Sequence, residues 1–185
     1  MCGIAGFSNF KINYKEDSSR WYQLLERMNQ RQKHRGPDAD GVFLDRFCGL
    51  AHVRLSILDL AGGSQPMTRQ LGNHRVTIAY NGEIYNMPTL RRELSREGIE
   101  FQTSSDTEVI LQSYLLWGID FVKRLNGIFA FALWDEYLQK LLLFRDALGV
   151  KPLFYTFLNG TLIFSSEIKG ILTYPDFRPV IDREG

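Results

Sequence analysis

The second residue of the chain is a cysteine, and this position gives it chemistry that an internal cysteine lacks. If Met1 is removed, Cys2 carries both a thiol and a free α-amino group. An α-amine has an ordinary pKa of about 7.7–8.0, so a useful fraction is neutral near pH 7 and can accept a proton. A thiol, with an ordinary pKa of about 8.5, needs such an acceptor at that pH. We therefore predict an N-terminal nucleophile; the alternative is a start codon followed by a small buried residue.

A second pair of candidate groups, Asn81-Gly82, follows a predicted strand. The asparagine amide could hold an oxyanion together with the glycine N–H, which a ligand can approach because glycine has no Cβ. The alternative interpretation is an ordinary Asn-Gly turn. A turn alone does not account for the Glu-Ile-Tyr-Asn that follows at residues 83–86.

Short segments in a fixed order carry a family resemblance. They are 1–4 (MCGI), 34–38 (HRGPD), 54–57 (RLSI), 81–86 (NGEIYN), 105–108 (SDTE), 145–153 (RDALGVKPL) and 165–167 (SSE). From Met1 to about Leu172, the chain resembles the glutaminase domain of class II, N-terminal-nucleophile glutamine amidotransferases. Within that class it is most similar to the glutaminase domain of glutamine-hydrolysing asparagine synthetases. The resemblance implies that Cys2 attacks the side-chain amide of glutamine while Asn81 and Gly82 hold the oxyanion.

Charged residues in these segments suit the two charges of free glutamine. Arg54 can bind the α-carboxylate through two parallel hydrogen bonds. Asp106, at a predicted helix start, can accept from the α-ammonium, and Glu83 adds a second anionic group. The alternatives are a solvated strand-end cation for Arg54 and a helix cap for Asp106. The predicted substrate-binding residues, some of them taken from the resemblance, are Arg54, Leu55, Ser56, Ile57, Leu58, Asn81, Gly82, Glu83 and Asp106.

The elements that must position these residues are mostly short strands. Strands are predicted at 2–10, 41–47, 49–57, 74–80, 127–135, 140–145, 153–158 and 161–165. Helices are predicted from Ser18 or Ser19, from near Pro88 to before Gly98, and over 106–117. Residues 128–134 are apolar on both faces of a strand, which requires covering layers on both sides. We predict an α+β fold, a four-layer αββα sandwich of two antiparallel sheets flanked by helices, as in N-terminal-nucleophile hydrolases.

Composition excludes several function classes. The chain has 185 residues, 44% hydrophobic and 23% charged, values typical of a globular domain. A net charge of +1 gives no reason to expect nucleic acid or a membrane surface as partner. Two cysteines, no signal peptide and no apolar run long enough to span a bilayer indicate the cytoplasm. We expect a domain over 1–173 and, over 174–185, the start of a linker to a C-terminal synthetase domain that the chain lacks.

Other candidate sites are weaker. Cys48 and His52 share a strand face with Arg54, but two ligands make a poor zinc site, so we expect no metal. Residues 61–64 (AGGS) lack the ending of a phosphate-binding loop and are interpreted as a turn. His34, which a Cys-His protease would need, is interpreted as a structural loop residue.

The resemblance also sets the expected cofactors and partners. The glutaminase half needs no cofactor; ATP and Mg²⁺ belong to the absent synthetase domain. The expected partners are L-glutamine, that synthetase domain and, as a candidate assembly, a homodimer. The alternatives are the glutaminase half of a sugar-phosphate aminotransferase or phosphoribosylpyrophosphate amidotransferase, and a non-catalytic regulatory module of the same fold.

Overall fold

A computed structural model describes residues 1–55 and 63–180 of the chain. Its strands are β1 (Gly3–Ser8), β2 (Ala39–Leu44), β3 (Cys48–Arg54), β4 (Met67–Leu71), β5 (His74–Ile84), β6 (Gly127–Asp135), β7 (Lys140–Arg145), β8 (Phe154–Leu158) and β9 (Thr161–Ser165). Its α-helices are α1 (Ser18–Gln32), α2 (Met87–Arg96), α3 (Asp106–Trp117) and α4 (Ile168–Ile171). Within these residues, no helix is both long enough and apolar enough to cross a membrane.

The strands form two antiparallel sheets that lie face to face. The first sheet has the order β2-β3-β1-β9-β8, and the second has the order β4-β5-β6-β7. β1 lies in the middle of the first sheet, between β3 and β9, and it faces β5 of the second sheet. β1 is therefore a central strand, and the N-terminus of the chain lies at one end of it.

Three apolar layers hold the sheets and helices together. Between α1 and the first sheet are Phe7, Trp21, Leu24, Leu25, Met28 and Ala51. Between the two sheets are Ile4, Leu50, Ala79, Ala130, Ala132, Trp134 and Phe164. Between the second sheet and helices α2 and α3 are Val76, Ile78, Leu90, Val109, Ile110 and Phe131. The architecture is α+β with four layers, which confirms the predicted fold class.

Strand β6 shows why a strand of this fold is apolar on both faces. Phe129 and Phe131 pack under the helices, whereas Ala130 and Ala132 face the other sheet. Successive side chains of a strand point to opposite sides, so both sets are buried at once. The large residues fill the helix layer and the small ones allow the sheets to approach.

Most predicted elements are present, but the strand predicted at 41–47 is β2 at Ala39–Leu44, and α4 was not predicted. β4 was not predicted, because its sequence (MTRQL) has only two apolar residues and lies at a sheet edge. The cap of α1 is Asp17, whose carboxylate accepts from Arg20 N at 3.4 Å, and not Ser18 or Ser19. Strand β5 continues through Ile84, so Asn81-Gly82 is not a turn but part of a ladder with β6.

Candidate active site

Cys2 lies immediately before β1 and is partly buried. Gly3 pairs with Val53 in the antiparallel ladder, so Cys2 comes opposite Arg54 at the end of β3. The sulfur of Cys2 is 3.9 Å from the carbonyl oxygen of Leu55. Opposite residues in an antiparallel pair share a face. Cys2 and Arg54 are therefore directed to the same side, toward the second sheet.

The backbone of Cys2 is held by an arginine from the HRGPD segment. Arg35 Nε donates to the Cys2 carbonyl at 3.0 Å, and Arg35 Nη1 lies 3.2 Å from Oε1 of Glu167. Glu167 also binds His34 Nε2 at 2.8 Å and Lys169 Nζ at 2.9 Å. Burial alone would raise the pKa of Glu167, but hydrogen bonds from Lys169, Arg35 and His34 outweigh it and lower the pKa to about 2. Glu167 is therefore ionised at neutral pH and fixes Arg35.

The guanidinium of Arg54 lies against a glycine. A Cβ placed on Gly63 would be 2.7 Å from Nη2 of Arg54, so a larger residue there would displace the guanidinium. The backbone of Arg54 is fixed from the other side, because its carbonyl accepts from Asp38 N at 3.1 Å. The backbone of Arg54 is thus held in place, and its guanidinium leaves no room for a side chain at position 63.

The side chain of Asn81 carries a buried amide donor without a partner. Asn81 is 2% exposed, and its Nδ2 has no hydrogen-bond partner among residues 1–55 and 63–180. It pairs with Ala130, which faces the first sheet, so Asn81 points toward β1. An unpaired buried donor costs about 1–3 kcal/mol of stability. A ligand that accepts a hydrogen bond from Nδ2 would remove this cost.

The backbone N–H of Gly82 lies on the edge of β5 that β4 leaves open. Phe129, opposite Gly82, donates its N–H to Asp146 Oδ2 and accepts at its carbonyl from Asp146 N. Gly82 and Phe129 are therefore a non-hydrogen-bonded pair of the ladder between β5 and β6. The N–H of Gly82 therefore points away from β6. On the same edge, Tyr80 N donates to Gln65 Oε1 at 2.6 Å and Ile84 N donates to Asp106 Oδ2 at 3.3 Å.

A side chain at position 82 would collide with β6. A Cβ on Gly82 would approach the carbonyl of Ile128 and lie 2.8 Å from the Cα of Phe129. Position 82 therefore requires glycine on steric grounds, independently of any ligand.

Asp106 is tied to β5 beside these groups. It is the first residue of α3, after the cap Ser105, and its Oδ2 accepts from the Tyr80 hydroxyl at 2.7 Å. Burial raises the pKa of Asp106, and the hydrogen bonds from Tyr80 and Ile84 offset part of this rise. Glu83, next to Gly82, is exposed. One carboxylate is thus bonded to β5 at Tyr80 and Ile84, and the other belongs to the residue that follows Gly82.

The start of α3 is fixed by a second buried acid. Glu108 is fully buried, accepts from the backbone N–H groups of Gln102 and Thr103 at 2.9 and 2.6 Å, and pairs with Arg69 at 2.8 Å. Burial opposes ionisation of Glu108, yet the bond from Arg69 and those from Gln102 and Thr103 lower its pKa. Glu108 thus bonds the loop before Asp106 to the start of α3.

The fold thus brings most of the predicted site residues to one end of the space between the sheets. One group, on β1 and β3, is Cys2, Arg54 and Leu55; the other, on β5 and α3, is Asn81, Gly82, Glu83 and Asp106. The pKa of Tyr80, the residue before Asn81, is raised chiefly by burial and further by the charge of Asp106. Ser56, Ile57 and Leu58 lie outside the described residues.

The remaining candidates lie elsewhere. Cys48 is buried between the sheets, and burial raises the pKa of its thiol. His34 is bound to Glu167. In the described part of the chain, no cluster of His, Cys, Asp and Glu could hold a metal ion. Sequence reasoning gave no site role to Glu167 or to Arg35, although both lie in segments that carried the resemblance.

Comparison with solved structures identifies the fold. Glutamine phosphoribosylpyrophosphate amidotransferase from B. subtilis, complexed with ADP and GMP, matches with a TM-score of 0.75 and 21% identity over 93% of this chain and 43% of that chain. A structure described as the allosteric regulatory enzyme of purine biosynthesis matches with a TM-score of 0.76 and 22% identity over the same shares. At these identities the likeness shows the fold alone. That fold is the sandwich of two antiparallel sheets flanked by helices described above.

Sequence comparison defines the family. Residues 1–185 match the glutamine amidotransferase domain, and the chain belongs to this family. It is 45% identical to asparagine synthetase [glutamine-hydrolyzing] 3 of Bacillus subtilis, over 100% of this chain and 30% of that protein. It is 40% identical to asparagine synthetase B [glutamine-hydrolyzing] of Escherichia coli, over 93% of this chain and 30% of that protein. The predicted family is confirmed, and the chain spans less than a third of the length of these relatives.

Proposed function

We propose that this domain hydrolyses the side-chain amide of L-glutamine, with Cys2 as the nucleophile once Met1 has been removed. The observation that carries the proposal is the unpartnered, buried amide of Asn81, which points toward the strand that Cys2 begins. Met1 is 57% exposed, so the bond that must be cleaved to free the amine of Cys2 lies at the surface.

In the proposed reaction, the thiol of Cys2 loses its proton to its own α-amine, and the sulfur attacks the amide carbon. Asn81 Nδ2 and Gly82 N–H stabilise the negative charge that develops on the amide oxygen. The C–N bond then breaks, the amine returns the proton, and ammonia leaves. Water attacks the resulting γ-glutamyl thioester, the C–S bond breaks, and glutamate and the free thiol are released.

The charges of the site match those of the substrate. Arg54 faces the same side as Cys2 and can pair with the α-carboxylate of glutamine through two hydrogen bonds. Asp106 and Glu83 can accept from its α-ammonium. The ion pairs would fix both substrate ends and leave the side-chain amide to extend toward Cys2.

We further propose that the ammonia serves a synthetase domain that converts aspartate to asparagine with ATP and Mg²⁺. The support is the naming of relatives at 40–45% identity as asparagine synthetases, of which this chain matches 30%. The phosphoribosylpyrophosphate amidotransferase likeness, at 21% identity, is a likeness of fold. A cytoplasmic location is part of the proposal, supported by the two free cysteines.

The proposal is tested by glutamate and ammonia release from untagged protein whose Met1 loss is verified by mass spectrometry. We expect equal amounts of both products, no activity in Cys2→Ala, and no activity when residues are added before Cys2. Cys48→Ala is the matched control, because this second thiol is buried away from the site, and it should retain activity. Turnover by Cys2→Ala, or by the N-terminally extended protein, would contradict the proposed nucleophile.

A further inference from the structure

His52 is a buried side chain that joins the two sheets. It lies on β3 opposite Ile4, two residues before Arg54, on the face that is directed to the second sheet. It is 1% exposed, and its Nε2 is 3.0 Å from the carbonyl oxygen of Tyr80.

The contact exists because β4 is short. β4 pairs with β5 only from His74 to Ile78. Beyond Ile78, side chains hydrogen-bond to the backbone of β5 on this edge. Gln65 binds the N–H of Tyr80, and His52 binds its carbonyl. The residue held in this way, Tyr80, directly precedes Asn81.

The hydrogen bond fixes the protonation of the ring. A carbonyl oxygen can only accept, so Nε2 of His52 must carry the proton. Burial lowers the pKa of His52 to about 4. The hydrogen bond to Tyr80 opposes this decrease, and the charge of Arg54 adds to it. At neutral pH the ring is therefore a neutral donor, unsuited to act as a general acid.

We propose that His52 is a positioning residue that sets the distance between the thiol of Cys2 and the oxyanion donors of Asn81 and Gly82. On one side it lies opposite Ile4, in the strand that begins with the nucleophile; on the other it holds the residue before Asn81. This inference rests on the proposed glutaminase function. A displacement of about 1 Å between reacting groups can reduce rates about 100-fold.

A second hydrogen bond between the sheets provides a matched control. Trp134 Nε1, on β6, donates to Asp45 Oδ2 at 2.9 Å. Asp45 lies in the turn between β2 and β3, at the opposite end of the sandwich from Arg54. If inter-sheet bonds act only on stability, loss of either one should have the same kinetic consequence.

The test compares His52→Gln, His52→Asn and Trp134→Phe with wild type at a temperature where each is fully folded by circular dichroism. A glutamine amide can reach the Tyr80 carbonyl, whereas an asparagine amide is too short. We expect His52→Asn to lower kcat for glutamate release about 10- to 100-fold with KM changed less than about threefold. His52→Gln and Trp134→Phe should stay within about threefold of wild type.

Equal losses in His52→Gln and His52→Asn, or a change confined to KM, would overturn the positioning role. So would kcat in His52→Asn within threefold of wild type. Should His52→Asn not fold, the ¹⁵N–¹H spectrum of wild-type histidines decides: the Nε2–H tautomer supports the role and the Nδ1–H tautomer overturns it. An inactive wild type would instead overturn the proposed function, and the positioning role with it.

Discussion

Substitution of Asn81 by alanine should separate activity from stability. The amide Nδ2 of Asn81 is buried and makes no hydrogen bond to the described residues, so the loss of this nitrogen removes no hydrogen bond among them. In the reaction, the same amide would donate to the oxyanion, and loss of one such donor lowers kcat by about 10²–10³-fold, or about 2.7–4 kcal/mol.

The stability of Asn81→Ala follows from two opposing contributions. Removal of an unpaired buried donor is favourable by about 1–3 kcal/mol. Loss of the packing of the amide atoms is unfavourable by a similar amount. The free energy of unfolding should therefore change by less than about 1 kcal/mol, a shift in Tm of about 2–4 °C at most for a domain of this size.

Asn29 is the matched control for this prediction. It lies on α1 and is equally buried, at 2% exposure; its Nδ2 donates to the carbonyl of Gly41 at 3.1 Å, and its Oδ1 has no hydrogen-bond partner among the described residues. Asn29→Ala loses a formed hydrogen bond together with an unpaired buried acceptor, so its free energy of unfolding should change little while kcat stays unchanged.

Steady-state glutamate release and thermal unfolding, measured on both variants, check these expectations. The oxyanion role of Asn81 would be refuted if Asn81→Ala lost less than tenfold in kcat. It would also be refuted if the loss of activity followed a loss of folded protein.

Two further predictions concern the charged residues. Arg54→Lys keeps the charge but not the paired hydrogen bonds, and Asp106→Asn removes the anion. Each should raise KM for glutamine by about 10- to 100-fold, because a charged hydrogen bond contributes about 1.5–3 kcal/mol. Initial-rate kinetics that show a defect in kcat alone would contradict the binding role. Glu167→Gln should destabilise the protein at pH 7, since the folded pKa of Glu167 lies at about 2, below its ordinary value of 4.5. The stabilising contribution of the Glu167 carboxylate is complete above pH 4.5 and is lost as the pH falls toward 2. Urea unfolding should therefore show the free energies of unfolding of wild type and Glu167→Gln converging over that window. A constant difference between the two free energies would contradict this prediction.

The strands and helices could be predicted where local pattern and tertiary burial agree. β6 is apolar on both faces because it is covered on both faces, and α3 begins at Asp106 because Ser105 accepts from Glu108 N at 3.3 Å. β4 could not be predicted, since an edge strand with polar residues depends on the pairing of its neighbour β5 and not on its own periodicity.

The candidate site could be predicted as a set of residues but not as a network. Cys2, Asn81 and Asp106 carry their chemistry in their residue types and in short segments. The bond from Arg35 to Glu167 joins residues 132 positions apart, and the bond from His52 to Tyr80 uses a backbone carbonyl. Neither contact leaves a local pattern in the sequence.

The most direct test of the central claim is to locate the covalent intermediate. Untagged protein is incubated with a glutamine analogue that carries an electrophile at the γ-carbon, and its peptides are analysed by mass spectrometry. We predict one adduct, on the sulfur of Cys2, only in chains that have lost Met1, with protection by L-glutamine. An adduct on Cys48 would contradict the account. So would an adduct that forms on Cys2 in chains that retain Met1 as fast as in chains that have lost it.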